Sequence, residues 1–569
     1  MAQNVLAGFF QPGQNGSEFR LAQGQVFNPP NLNQTLSELH RSLALNPFLL
    51  NDLESDLSLV YALPNRLVLI RDACGATPLF VARHQDGWAY GFDLASLFAV
   101  LGRVPDLNEE AYYDFLATHY RHIFRDPQRT FHEGVLQIPA GHYAVIDENG
   151  LSIKPWLDLS FEPSYGQIDV EAASDLYLSI LKENVSARLK ALEGQKLAFS
   201  ISSGLDSSTV ASLAAQKLGR LNCFFVAYKD DAQSPYDESE GVKAITNEKG
   251  WALTRLDLGA PDLLAETRAL LAKTQAPIIT VTWLAHYVLA RSASQSGYER
   301  LFSGLGGDES LAGEFEHFFV YFADLKKENL HERLKSETDW WIERHNHPVF
   351  RKSPEVRDQW FARNLDFATG QIKVDQIRYG QNQRFFNPEW IKAMEEKIPP
   401  IPMPRPYPYF LSNRLFQEMS YETSPPTLWS ESLSSAAGGI KGVFPMASPK
   451  LFRLAYSLPG TYKYDQGLTK QLIRRGSGGL LPESTRWNPV KTGFNAPLDL
   501  WLKNPKLASE VLELLESGPL SQKGWLKKGA AKELVESHQK GEANHMMVLW
   551  PLIVTALLLD LQKNQSLTA

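Results

Sequence analysis

A chain of 569 residues, 44% of them hydrophobic and 21% charged, is a folded protein of two to four domains at roughly 100–200 residues per domain, which excludes a small binding module and a disordered chain. Lys and Arg number 57 against 64 Asp and Glu, a net charge of −7, so no global field attracts nucleic acid or anionic lipid and any polyanion must be held by local geometry. Cys74 and Cys223 are the only cysteines, which excludes a disulfide framework or a cysteine-rich metal centre and points to a reducing, cytoplasmic setting.

The chain opens without a basic stretch followed by a long apolar core, so no signal peptide is expected. Short apolar or alternating runs at 5–10, 57–63, 67–71, 78–83, 87–92 and 142–146, bounded by Gly, Pro and Asn, predict β-strands of one sheet system. Helical patterns stand between them at 36–45 and 108–118. After Trp156 the pattern changes to long helical periodicity, beginning with 170–192, and a domain boundary is placed there. Strand then helix follows in repeats: 196–200 with 207–217, 223–228 with 238–249, 253–258 with 260–273, and a strand at 300–302. That alternation predicts a parallel α/β sheet, whose ligands bind beyond the carboxyl ends of the strands. From Phe315 onward the chain reads as mostly helical and aromatic-rich, with a Pro-rich connector at 399–408. The apolar run 546–561 contains Pro551 and falls short of the ~20 residues of a membrane span, so it predicts a buried terminal helix and no membrane association.

Two loops carry the chemistry. Phe199-Ser200-Ile201-Ser202-Ser203-Gly204-Leu205-Asp206-Ser207-Ser208 is a small-residue turn between a strand and a helix. Such a turn lets backbone N–H groups approach a phosphate, and Asp206 in it calls for a divalent cation between carboxylate and pyrophosphate. An N-capped turn with no ligand explains the same residues equally well when the motif is taken alone. Ser303-Gly304-Leu305-Gly306-Gly307-Asp308 is a second Gly-rich acidic turn after a strand, and two acidic loops from separate strands are what Mg²⁺-ATP requires.

The first loop resembles the Ser-Gly-Gly-x-Asp-Ser pyrophosphate-binding loop of ATP pyrophosphatases, and with the second it resembles the asparagine synthetase superfamily. Ser203 stands where that family has its first glycine. The resemblance implies an N-terminal-nucleophile-type β-sandwich over residues 1–160, a class II glutamine amidotransferase-like domain, and an ATP-pyrophosphatase-type parallel α/β synthetase domain with a helical extension over 165–569. It also implies the site: Ser202, Ser203, Gly204, Asp206, Ser207, Ser208, Val226, Gly304, Gly306, Gly307 and Lys470 toward ATP, Asp206 and Asp308 toward Mg²⁺, and Lys491 as the catalytic lysine. Lys491 lies in Arg486-Trp487-Asn488-Pro489-Val490-Lys491-Thr492-Gly493-Phe494, preceded by Lys470 and Arg474, and would stabilise the oxyanion as the amide forms. The segment 236–240 is similar to the stretch after the family's adenine-contacting strand.

The resemblance also marks what is missing. Asparagine synthetases expose a cysteine nucleophile at the start of the glutaminase domain, whereas here Ala2 follows Met1 and the first cysteine is Cys74, which reads as a core residue. The family's glutamine-binding Arg-Gly-Pro-Asp and Asn-Gly-Glu loops are not found. A disarmed glutaminase-like domain is shared by β-lactam synthetases and lasso-peptide cyclases. Leu305 occupies the place of the β-lactam synthetase tyrosine, and Lys441, Val443 and Ser448 replace three positions that are charged in the family. The acidic group that orients the incoming amine is unassigned, with Glu309, Glu314 and His317 nearest in sequence.

The expected function is therefore ATP-dependent, AMP-forming amide synthesis. A small-molecule or peptide carboxylate is adenylated and captured by an amine other than glutamine-derived ammonia, in specialised-metabolite or lactam biosynthesis. A non-catalytic protein on a decayed synthetase fold and an ammonia-dependent asparagine-type synthetase are the rival readings. Partnership with a second copy or a pathway protein is left open.

Overall fold

A computed structural model of the chain describes residues 7–12, 19–23, 36–118, 120–228, 237–344, 352–372, 382–489 and 496–566. The first part is built from two antiparallel sheets. One has the order β1 (Ala7–Phe10), β6 (Gly87–Gly91), β5 (Phe80–His84), β7 (Val135–Gln137). The other runs β2 (Phe19–Gln23), β3 (Ser58–Leu63), β4 (Arg66–Ile70), β8 (His142–Asp147), β9 (Gly150–Pro155). Their inner faces meet in a core of Phe10, Val60, Ala62, Leu67, Leu69, Val81, Tyr90, Ala144 and Ile146. Successive side chains of a strand point to opposite faces, so Leu59, Tyr61, Val68 and Ile70 face a second core, while Phe80, Ala82 and Ala89 face a third. Both outer faces of the sandwich are thus covered, which explains why β3 is apolar at nearly every position instead of alternating.

The second part is a five-stranded parallel sheet in the order β12 (Ala252–Leu258), β11 (Asn222–Tyr228), β10 (Leu197–Ser200), β13 (Arg300–Phe302), β16 (Lys441–Val443). A two-residue pairing of β14 (Leu365–Asp366) with β15 (Gln371–Ile372) lies apart. Helices α1 (Leu36–Leu45), α2 (Leu94–Leu101), α3 (Glu109–Tyr113) and α4 (Val170–Ala191) come first along the chain, and the crossover helices α5 (Leu205–Leu218), α6 (Ser239–Lys249), α7 (Leu263–Thr274) and α8 (Thr282–Gln295) cover the sheet. The chain moves outward from β10 to β11 and β12, then crosses to β13 on the other side. The connections after β10 and β13 therefore leave in opposite directions, and the crevice between them is the topological switch point where such sheets take ligands.

Several expectations needed revision. The segment 108–118 is not one α-helix, because Glu109–Tyr113 passes into a π-helical turn, Asp114–Thr118, that buries Asp114 against Arg125 and Arg129. The helix expected at 260–273 opens with a 3-10 turn, Ala260–Asp262, at Pro261. Lys441 and Val443 lie on the edge strand β16, where Ser303 N–H donates to Val443 O at 3.1 Å, so these departures from the family fall on sheet backbone. The terminal helix is Met546–Ser566, 21 residues, which is longer than expected and long enough to span a bilayer. Its burial decides the matter. Leu549, Leu552, Ile553, Val554 and Leu557 are at most 1% exposed, and Trp550 Nε1 donates to Ile278 O at 2.9 Å, so it is a core helix of this fold.

Candidate active site

The site forms where β10 and β13 end. After Ser200 the chain turns through Ile201–Gly204 and enters α5, with Asp206 in its first turn. After Phe302 it turns through Ser303–Gly306 into the short helix α9 (Gly307–Leu311), with Asp308 in its first turn. The glycines there are required by close approach. A Cβ on Gly304 would stand 2.4 Å from Ser207 N, and one on Gly307 would stand 2.4 Å from Asp206 Cγ. Gly306 has φ +106° and packs against Met446 and Ala447. The two loops are therefore pressed together backbone to backbone, which brings their carboxylates to one point.

That point is occupied by Lys470. Its Nζ pairs with Asp206 Oδ2 and lies 2.7 Å from Asp308 Oδ1. Lys470 is only 5% exposed, and an ammonium is buried so deeply only where carboxylates face it. Its backbone has φ +60°, a left-handed conformation that a lysine adopts only when its surroundings hold it there. A Cβ on Gly313 would overlap Asp308 Oδ1 and reach 2.9 Å from Lys470 Cε, so this glycine too makes room for the ion cluster.

Arg474, four residues on, ties the cluster to the next segment. Its guanidinium donates to Thr469 O at 2.7 Å, Arg486 O at 2.5 Å and Asn488 O at 3.1 Å. Burial lowers its pKa to about 10, opposed by Asp206, so it stays charged at neutral pH. Lys491 itself falls at 490–495, outside the described residues.

The remaining expected residues divide into those at the crevice and those behind it. Ser202 N–H donates to Ser207 Oγ at 3.1 Å, the two hydroxyls lie 2.9 Å apart, and Gly204 N–H donates to Ser202 Oγ at 3.2 Å, so these three shape the turn. Ser208 is fully buried and its hydroxyl donates to Ser202 O at 3.4 Å; it braces the loop from inside, and its side chain does not face the crevice. Val226 is likewise 1% exposed, two residues past Phe224, which pairs with Ser200, so only its backbone lies beside the loop.

Neither Glu309 nor His317 is placed to deprotonate an amine. Glu309 accepts from Gly306 N–H at 3.1 Å, and burial with the neighbouring Asp308 charge pushes its carboxyl up to about 8, so it holds a proton at pH 7. Both ring nitrogens of His317 are engaged: Nε2 lies 2.7 Å from Glu418 Oε2, and Nδ1 accepts from Glu314 N–H at 3.2 Å. Burial works to raise Glu418, but Arg414 and His317 outweigh it and hold the carboxyl well below the usual range. Leu305 packs into apolar surroundings and supplies no polar group.

The structure adds Glu431, and gives Glu238, which lies in the segment 236–240 singled out in the sequence, a partner that the sequence did not show. Glu238 accepts from Ser203 Oγ at 2.7 Å and from the Ser203 backbone, and burial pushes it up to about 7. Glu431, on the helix Ser424–Ala437, is held at about 7 by burial, which a hydrogen bond from the Ser303 hydroxyl partly offsets. His286 Nδ1 stands 3.9 Å from Glu431, but burial lowers the imidazole to about 3, so the contact is not an ion pair. No local signal marks Glu431 or the pairing of Glu238 with Ser203, since each glutamate meets its partner through the sheet topology.

Residues 177–562 match the asparagine synthase family, and residues 57–157 match the glutamine amidotransferase domain. The chain is 22% identical over 520 residues to a Mycobacterium bovis protein named "Putative asparagine synthetase (glutamine-hydrolyzing)", covering 86% of this chain and 74% of that one. It is 21% identical over 498 residues to asparagine synthetase (glutamine-hydrolyzing) 1 of Bacillus subtilis, covering 85% and 73%. Against the solved NH3-dependent NAD synthetase of Campylobacter jejuni the TM-score is 0.19 at 15% identity, over 41% of this chain and all of that one, too low to bear on the fold.

Proposed function

The chain belongs to the asparagine synthase family, and on that premise we propose that it adenylates a substrate carboxylate with ATP and passes the acyl group to an amine other than glutamine-derived ammonia. ATP-dependent formation of a carbon–nitrogen bond is the reaction of the family. The observation that supports the adenylation part of this reading is the meeting of Asp206 and Asp308, from two strand ends, on one buried cation. The Lys470 ammonium stands in for a metal there. Among the described residues no cluster of three or more His, Cys, Asp or Glu forms a metal cage, so two carboxylates suit a Mg²⁺ that brings phosphate oxygens and water as its other ligands. When bound, such an ion would supply charge neutralisation for the departing pyrophosphate.

In this reading Asp206 and Asp308 would hold the Mg²⁺ that accompanies the polyphosphate, Lys470 turns from the carboxylates toward the phosphates, and Arg474 holds the Lys470 and Asn488 segments in fixed relation. The substrate carboxylate attacks the α-phosphorus and pyrophosphate leaves. The amine then attacks the acyl carbon, AMP leaves, and Lys491 stabilises the oxyanion. Residues 1–160 serve as a glutaminase-like domain without glutaminase chemistry, and 165–569 as the synthetase, acting in the cytoplasm on small-molecule or peptide substrates.

Neither cysteine of the sequence is suited to glutaminase chemistry. Cys74 is 4% exposed, and burial together with the Asp72 and Glu54 charges pushes its thiol well above the usual range. Cys223 is fully buried and pushed up to about 12 by burial. Neither supplies a thiolate nucleophile at neutral pH. Carboxylate-dependent exchange of pyrophosphate into ATP tests the proposal: it should occur with wild type and be lost in Asp206→Ala, and its absence across a broad panel of carboxylates would refute the reading.

A further inference from the structure

The residue that breaks the family's loop pattern, Ser203, has a compensating hole elsewhere. Both its N–H and its hydroxyl donate to the Glu238 carboxylate, with Oγ to Oε1 at 2.7 Å. Glu238 is 8% exposed and immediately precedes α6. Gly241 is the third residue of α6, and a Cβ there would stand 2.7 Å from Ser203 Cβ. That distance is below any real contact, and the atom opposed is the stiff base of a side chain, not its flexible end. The small-residue requirement has therefore moved from the loop to the facing helix. The N–H groups of Ser202 and Gly204 are also spent within the chain, on Ser207 Oγ and Ser202 Oγ.

We propose that Ser203, Glu238 and Gly241 form a latch that fixes the β10–α5 loop from the α6 side, making Ser203 and Glu238 positioning residues for the polyphosphate of ATP. The inference rests on the ATP reading of this site. Ordinary loops of this kind gain their shape when an anion gathers the backbone donors. Here a buried carboxylate of the chain gathers the Ser203 donors beforehand. The polyphosphate then meets a preset loop at the N-terminus of α5, without first having to order the turn.

A cycle of four proteins tests this: wild type, Ser203→Gly, Gly241→Ala and the double variant, each measured by thermal unfolding and by calorimetric titration with Mg²⁺-ATP. Alanine normally favours a helix over glycine. The latch predicts the reverse here, with Gly241→Ala lowering Tm and weakening Mg²⁺-ATP by about tenfold or more, the effect of displacing a hydrogen bond to a charged group. In the Ser203→Gly background the same substitution should be neutral or raise Tm and leave the Mg²⁺-ATP dissociation constant unchanged. Glu238→Ala should weaken Mg²⁺-ATP about as much as Ser203→Gly does. Independent effects at 203 and 241 would overturn the latch, as would coupling in Tm with no change in Mg²⁺-ATP affinity, which is the mark of a purely structural contact. A wild type that binds no Mg²⁺-ATP while the Tm cycle still shows coupling would overturn the ATP reading of the site and, with it, the positioning role.

Discussion

The parallel sheet and the antiparallel sandwich are each covered on both faces, yet they treat their reactive side chains in opposite ways. At the ends of β10 and β13 the backbone departs in two directions, and Asp206, Asp308 and Lys470 meet in the crevice so formed. In the sandwich the turn after β4 folds Arg71, Asp72 and Cys74 inward: Asp72 accepts from Cys74, Ala76 and Thr77 N–H, and Arg71 donates to Ile138 O and Gly75 O. One region keeps charge at an opening, and the other spends it on holding a turn. Buried polar residues thus serve two ends in one chain, a turn's framework in the sandwich and, under the proposed function, chemistry at the crevice.

The largest effect should come from removing a carboxylate at the crevice. Asp206→Ala or Asp308→Ala should cut pyrophosphate exchange by about 10³-fold, as expected when a preorganised electrostatic contact to a polyphosphate is lost, with the fold intact by circular dichroism. Loss of folding instead would mean that the cluster is structural, like Arg71 and Asp72, and the contrast between the regions would fail.

The sandwich should prove necessary to the synthetase as a support. Ser448 Oγ donates to Glu54 Oε1 at 2.9 Å, and Arg188 Nη1 lies 3.6 Å from Glu54 Oε2, all three buried. Glu54→Ala removes the carboxylate that faces a buried guanidinium and should destabilise the whole chain by about 3 kcal/mol in urea unfolding. Ser448→Ala removes one hydrogen bond and should cost about 1 kcal/mol.

The Glu431 carboxyl, behind the second loop, sharpens the comparison through pH. Burial holds its folded pKa at about 7, above the ordinary glutamate value of 4.5, so the unfolded chain releases this proton first. Its contribution is full below pH 4.5 and is lost as pH rises through 7, at a slope of about 1 kcal/mol per pH unit. Glu431→Gln should flatten that part of the stability profile. A profile unchanged by the substitution would show that the group is charged at neutral pH. The smallest effect is expected from Cys74→Ser, which should leave pyrophosphate exchange at the wild-type rate and cost about 1 kcal/mol of stability for a buried hydroxyl. A fall in exchange would give the sandwich a chemical role and erase the distinction.

The sequence made the two loops, the strand–helix alternation and the helix Leu36–Leu45 legible because each depends on neighbours in the chain. Arg474 stood beside the lysine motif, although its reach to Asn488 was visible only in the fold. What escaped was long-range or unmarked. α8 has no side-chain cap at its start and is apolar around much of its circumference, so nothing announces where it begins. β9 is an edge strand with exposed Ser152 and Lys154, and β16 is three residues long, too short for a pattern. The Lys470 bridge joins residues 264 apart, and the Ser203–Glu238 bond crosses from one strand–helix unit to the next. Ser203 and Ser448 looked like losses against the family pattern, but each has a carboxylate partner that only tertiary structure supplies.

The central claim is adenylation at the β10–β13 crevice. Purified protein, Mg²⁺-ATP and labelled pyrophosphate, assayed across a panel of carboxylates with and without amines, test it most directly. Label should enter ATP only when a suitable carboxylate is present, with no incorporation by Asp206→Ala. A folded wild type that incorporates no label with any carboxylate, indistinguishable from Asp206→Ala, would contradict it.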